Sequence, residues 1–192
     1  MGLDMYLYKR MYTKNWEHMD KAEKHTVTVK LGGKIRKDVK PERIAYVTEE
    51  VMYWRKANAI HKWFVDNVQE GKDDCGEYSV SREKLSTLLE LCNRVLAGSK
   101  LVDGDVVNGY TFDKDATGTL VRKPMMEKGK YIEDDSVARE LLPCTDGFFF
   151  GSTAYDQYYY EDIKATADAL TGLLEEPVVD GVYVRYIYSS SW

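Results

Sequence analysis

Between residues 82 and 96 the apolar side chains Leu85, Leu88, Leu89, Cys92, Val95 and Leu96 recur at helical spacing, with charged residues between them. That stripe predicts an amphipathic helix, with Ser81 as its N-cap and Gly98 as its stop. A helix apolar along one side needs a second layer to bury it. The rest of the chain offers strands for that layer. Residues 3–12 and 181–188 alternate apolar and polar, and 43–50 reads as a further short strand. A helix is expected over 53–68, where Ala57, Ile60, Phe64, Val65 and Val68 share one face, and another over 156–174. A short helix at 134–142 is stopped by Pro143. Strands and helices in this order predict an α+β fold, a mostly antiparallel sheet with about three main helices packed on one face.

Two segments carry finer expectations. In 26–39, a two-residue Gly32-Gly33 turn would set Leu31 opposite Lys34, splitting the apolar residues of the strands between two faces. A three-residue loop, Gly32-Gly33-Lys34, pairs Leu31 with Ile35 and Val27 with Val39, and is preferred if one face is buried. Residues 99–130 are rich in Gly, Asp and Lys with short apolar pairs, and read as a hairpin or long loop inserted into a single domain spanning 1–192. Within it "DKDATG" opens like a calcium loop, but Pro124 stands where the closing Glu is needed, so an Asx-type turn is expected.

Composition narrows function by exclusion. No apolar stretch is long enough to span a bilayer. The start, MGLDMYLYKR, lacks a signal-peptide layout and has Tyr6 where a myristoylation signal needs Ser or Thr, so a cytosolic protein is expected. Cys75, Cys92 and Cys144 are scattered and the histidines are only His18, His25 and His61, which makes no zinc motif and calls for no metal or cofactor. A net charge of -5 argues against broad nucleic-acid binding, and oligomeric state is left open. The 15 tyrosines stand out, because tyrosine suits binding surfaces as well as cores.

Two constellations could carry chemistry. In "GFFFGSTAYDQYYYED" a strand of phenylalanines is expected to end at Gly151, Ser152 and Thr153, just before a helix. Unpaired N–H groups at a helix start, with two hydroxyls, could cradle a phosphate or carboxylate; alternatively Thr153 or Asp156 simply caps the helix. Helical spacing puts Tyr159 in the core and leaves Tyr155 and Tyr158 freer to stack on a ligand. In "YWRKANAIHKWF", His61 lies on the apolar face, either as a hydrogen-bonded core residue or as a general acid or base lining a cleft. Around it Arg55, Lys56, Asn58 and Lys62 offer anion- and amide-binding groups, and Trp54 and Trp63 offer flat faces. Cys75 paired with His61 is a weaker nucleophile candidate, because Asp73, Asp74 and Glu77 oppose thiolate formation.

These segments, with "DDCGEY" and "LLP", resemble a family of small bacteriophage and prophage proteins. The resemblance implies an accessory role in a bacterial host, of the kind that counters defence by sequestering nucleotide-derived signals. The leading expectation is therefore a non-enzymatic binder of a small anionic, nucleotide-like ligand, with its pocket between the 53–64 helix and the 151–158 turn. The alternatives are an enzyme on such a ligand with His61 as acid/base, and a protein-interaction inhibitor of a host factor.

Overall fold

The computed structural model describes residues 2–147 and 149–192. The fold is α+β. Its main sheet is antiparallel throughout, in the order β4-β1-β8-β5. Its strands are β1 (Asp4–Tyr12), β4 (Tyr46–Arg55), β5 (Glu77–Val80) and β8 (Val184–Ser191). The alternation of β1 decides what each face does. Leu3, Met5 and Leu7 point into the core, while Tyr6 and Tyr8 stack on the opposite face with ring centroids 5.8 Å apart. Tyr6 also meets Tyr53, and Tyr12 meets Tyr46, so part of the tyrosine excess is a row of cross-strand pairs away from the helices.

The core face is covered by α1 (Asn58–Asn67), α2 (Arg82–Gly98) and α4 (Gln157–Glu175). Leu85, Leu88, Cys92 and Val95 of α2 share one apolar cluster with Ile163, Ala167, Leu170 and Leu173 of α4. Ser81 caps α2, its side chain accepting from the Lys84 N–H. On α1, Phe64 lies flat on Tyr188 of β8, ring centroids 3.9 Å apart. No helix among the described residues is long and apolar enough to cross a membrane.

The 99–130 segment is a long β-hairpin, β6 (Leu101–Lys114) and β7 (Leu120–Ile132), forming a sheet of its own. Its tip is the expected Asx turn: Asp115 Oδ1 accepts from the Thr117 and Thr119 N–H groups. Its base is tied to α4 and the residues leading into it, since Lys130 N–H donates to Gln157 Oε1 and Ile132 N–H to the Tyr155 carbonyl. The short α3 (Ser136–Leu141) follows.

Three sequence expectations are corrected. In the small hairpin of β2 (Lys30–Leu31) and β3 (Lys34–Ile35), Leu31 pairs with Lys34 across Gly32-Gly33. Both glycines have positive φ, 55° and 78°, as a tight primed turn requires. Leu31 and Ile35 are exposed, so no buried face selects the longer loop. Second, Tyr53, Trp54 and Arg55 belong to β4 and not to the helix, paired with Tyr6, Met5 and Asp4. Nine residues paired with β1, on both sides of a bulge at Val51, outweigh the helical spacing, and Tyr53 and Trp54 are strand-favouring types. Third, the segment read as a phenylalanine strand turns instead: Phe150 N–H donates to the Gly147 carbonyl, and a bond from Leu3 N–H to the Phe149 carbonyl ties it to the sheet. Phe148 lies outside the described residues.

Candidate functional site

The change from β4 to α1 takes place at Lys56 and Ala57. Lys56 has φ 61°, a left-handed conformation uncommon for a residue with a side chain. Ala57 then forms an inverse γ-turn, closed by the Asn58 N–H to the Lys56 carbonyl at 2.8 Å. This bend keeps Arg55 and Lys56 at the sheet end and starts α1 directly beside them. Both side chains lie over Gly2, where a Cβ would meet Lys56 Cε at 3.2 Å and Arg55 Nε at 3.9 Å.

Asn58 fixes the facing wall. Its Nδ2 donates to the carbonyls of Phe150 (3.0 Å) and Ser152 (2.7 Å), and its Oδ1 accepts from the Thr145 N–H (3.1 Å). One amide therefore holds a segment 87 to 94 residues further along the chain. Gly151, at φ 87°, sits against the Lys56 side chain, where a Cβ would stand 3.2 Å from Lys56 Cβ. The 53–64 and 151–158 segments thus meet in space.

Between them, α4 and the β6–β7 hairpin lies a cavity of about 710 Å³. Its apolar floor includes Ala59, Cys144, Tyr159 and Ile163. Arg55 and Lys56 border it on one side. The hairpin contributes Tyr110, Phe112 and Arg122, with the Arg122 guanidinium 3.4 Å over the Tyr110 ring. The start of α4 and its cap supply Asp156, Glu161 and Asp162. Among the described residues Arg55, Lys56, Arg122, Glu161 and Asp162 form no ion pair with one another or with any neighbour. Burial, followed by the charges of Glu161 and Asp156, pushes the Asp162 carboxyl up to about 7. Burial also raises Asp156. Cys144 is pushed up to about 12, again by burial first, so its thiol stays protonated.

The residues singled out from sequence fall into different environments. Arg55, Asn58, Gly151, Ser152 and Tyr158 line the cavity. Asn58 does so as a clamp, with its polar atoms spent on backbone, and Ser152 Oγ accepts from the Ala154 N–H. Tyr158 is 39% exposed, with its hydroxyl on Glu127 of the hairpin. Trp54 is 2% exposed and offers no flat face: its ring is in the core, with Nε1–H on Thr166 Oγ1 at 2.8 Å. His61 is 1% exposed and outside the cavity lining. Its Nδ1 is 2.7 Å from the Tyr188 hydroxyl and its Nε2 3.1 Å from Asp73 Oδ2, so it is the hydrogen-bonded core histidine of the two readings. With both ring nitrogens engaged, it does not activate Cys75.

Lys62 pairs with Asp66 at 2.7 Å on an outer face, and Thr153 is exposed outside the lining. Tyr155 is 8% exposed, because its hydroxyl reaches in to the Cys144 N–H at 3.0 Å while Arg139 covers its ring. The helix start is no free anion cradle, since Asp156 Oδ1 already accepts from the Tyr158 and Tyr159 N–H groups. Arg122, Tyr110 and Asp162 are among the lining residues that sequence spacing missed, as are Phe112 and Glu161. The first two sit in a hairpin whose partner was not readable, and Asp162 follows the Asp156 cap in a run that reads as an ordinary acidic helix start. Compared with protein-family models, curated proteins and solved structures, the chain finds no match.

Proposed function

We propose that the protein binds a small anionic, nucleotide-like ligand in this cavity. The observation that carries the reading is the convergence of Arg55, Lys56 and Arg122, none of them in an ion pair among the described residues, with Tyr110, Phe112 and Tyr158 around one space. Its volume of about 710 Å³ suits a small molecule, for which sites run from about 300 to 1,000 Å³. The cations would take phosphate, and the aromatic rings would stack on a base. In the phage setting that the sequence resembles, the ligand would be a nucleotide-derived signal captured in the host cytosol. The test is calorimetric titration with nucleoside mono- and cyclic phosphates and ADP-ribose. Arg55→Ala and Arg122→Ala are each expected to weaken binding by about tenfold or more, at unchanged melting temperature, as for loss of a charged hydrogen bond. If none of these ligands binds the native protein, the reading falls.

One observation supports a second reading, an enzyme acting on such a ligand. Asp162, its carboxyl pushed up to about 7 inside the cavity, is poised for proton transfer where His61 is not. Mass spectrometry of the ligand recovered after incubation separates the two. An unchanged mass supports a sequestering protein, and a changed mass supports an enzyme.

A further inference from the structure

Charge is distributed unevenly along the chain. Residues 14–44 leave the end of the main sheet between Tyr12 of β1 and Tyr46 of β4, which pair with each other, and none of these residues is buried. The segment carries nine Lys or Arg against five Asp or Glu, a net +4, which leaves -9 on the rest of the chain. Its cations gather further: from Lys24 to Lys37 there are five Lys or Arg and no acid. Four of these lie in and just after the β2–β3 hairpin. Arg36 is engaged by Asp38, while Lys30, Lys34 and Lys37 form no ion pair among the described residues. Two apolar side chains stand among them. Leu31 is 67% and Ile35 64% exposed. With Leu31 paired to Lys34 and Lys30 to Ile35, each face of the hairpin carries one apolar side chain and one lysine.

A flat partner would cover one face of this hairpin and leave the apolar side chain of the other in water. Nucleic-acid phosphates would use the lysines and gain nothing from Leu31 or Ile35. A hairpin tip surrounded by lipid on both sides uses all of them: the apolar side chains bury beneath the headgroups, and the lysine stems let the ammonium groups reach back to the phosphates. We propose that the β2–β3 hairpin attaches the protein to an anionic lipid surface, with Leu31 and Ile35 entering the interface and Lys30, Lys34 and Lys37 at the headgroup phosphates. Charge also sets the orientation. An anionic surface repels the -9 remainder and draws the +4 segment, so the hairpin arrives first. The cavity lies at the other end of β1, about 27 Å away at about 3.4 Å per residue, so attachment leaves it clear. The assignment stands apart from the nucleotide-binding reading.

Co-sedimentation of the full-length protein with vesicles of phosphatidylcholine, with and without phosphatidylglycerol, tests it. Partitioning is expected to rise about tenfold or more when phosphatidylglycerol is included, and to fall with added salt. The triple variant Lys30→Gln, Lys34→Gln, Lys37→Gln is expected to lose that rise. Leu31→Ser combined with Ile35→Ser is expected to weaken binding about tenfold at unchanged melting temperature, since both side chains are exposed in the free protein. Equal partitioning onto the two vesicle types would overturn the proposal, as would undiminished binding by either variant. Binding to a fluorescent oligonucleotide with none to the anionic vesicles would overturn it and point to nucleic acid. If a variant fails to fold, the two vesicle compositions and the oligonucleotide, measured on the native protein, still decide.

Discussion

At Lys56 a left-handed backbone costs roughly 1–2 kcal/mol in a residue that carries a Cβ. Glycine would remove that strain, yet the chain keeps a lysine whose stem packs on Gly2 and Gly151 at the cavity edge. Lys56→Gly is therefore expected to raise stability by about 0.5–1 kcal/mol, allowing for the entropy glycine adds to the unfolded chain, and to weaken ligand binding. Urea titration read beside calorimetry checks both signs; weaker stability with unchanged binding would contradict the account. Asp162 leaves a second residue-level mark, on pH dependence. Its folded carboxyl is pushed from an ordinary 3.8 up to about 7, so the folded state holds this proton more tightly than the unfolded chain does. Its contribution is then a cost that grows as pH rises from about 4 to about 7 and is constant above that. Asp162→Asn carries no such proton and is expected to be more stable than wild type at pH 8, with the difference shrinking at pH 5. Thermal melts at the two pH values read it directly, and a pH-independent difference would count against the buried carboxyl.

Among the elements, the β6–β7 hairpin is the part whose removal separates fold from site. Phe112, Leu120, Met125 and Met126 near its outer end are exposed, whereas Val106 and Ile132 toward its base are buried. Replacing residues 107–126 with a tight turn is expected to leave the melting temperature within a few degrees and abolish ligand binding, because Tyr110, Phe112 and Arg122 leave together. Loss of cooperative unfolding would show that the hairpin belongs to the core instead. Elements were legible in sequence where one force dominated. The α2 stripe, the Ser81 cap and the Asx turn at Asp115 each follow from local spacing or chemistry, and each is found. They were illegible where a distant strand decided. Trp54 sits at a spacing that a helix or a strand could use, and only pairing with Met5 selects the strand. The same limit applies to the site. Arg55 and Tyr158 were readable as a cation and a free tyrosine, but Arg122 has meaning only once the hairpin lies beside them.

For the whole molecule, one sheet and the helices on its core face set the frame, and the cavity lies at the rim where β4 ends, α4 begins and the hairpin rises. The core itself carries no exposed chemistry. A polar chain runs outward from it, from buried Tyr188 and His61 to Asp73 and the exposed Trp192 Nε1–H, and ties β8 and the residues at its end to α1. That separation lets stability and binding be altered independently, as the hairpin variant assumes. The Asn58 amide is the exception, because it joins residues 87 to 94 positions apart with bonds that leave it no atom for a ligand. A fragment ending before residue 145 would inherit the cationic arm with nothing to hold opposite it. One beginning after residue 58 would inherit the acidic wall without its latch. The site is thus an all-or-nothing inheritance: a cut between these points leaves the pocket on neither piece.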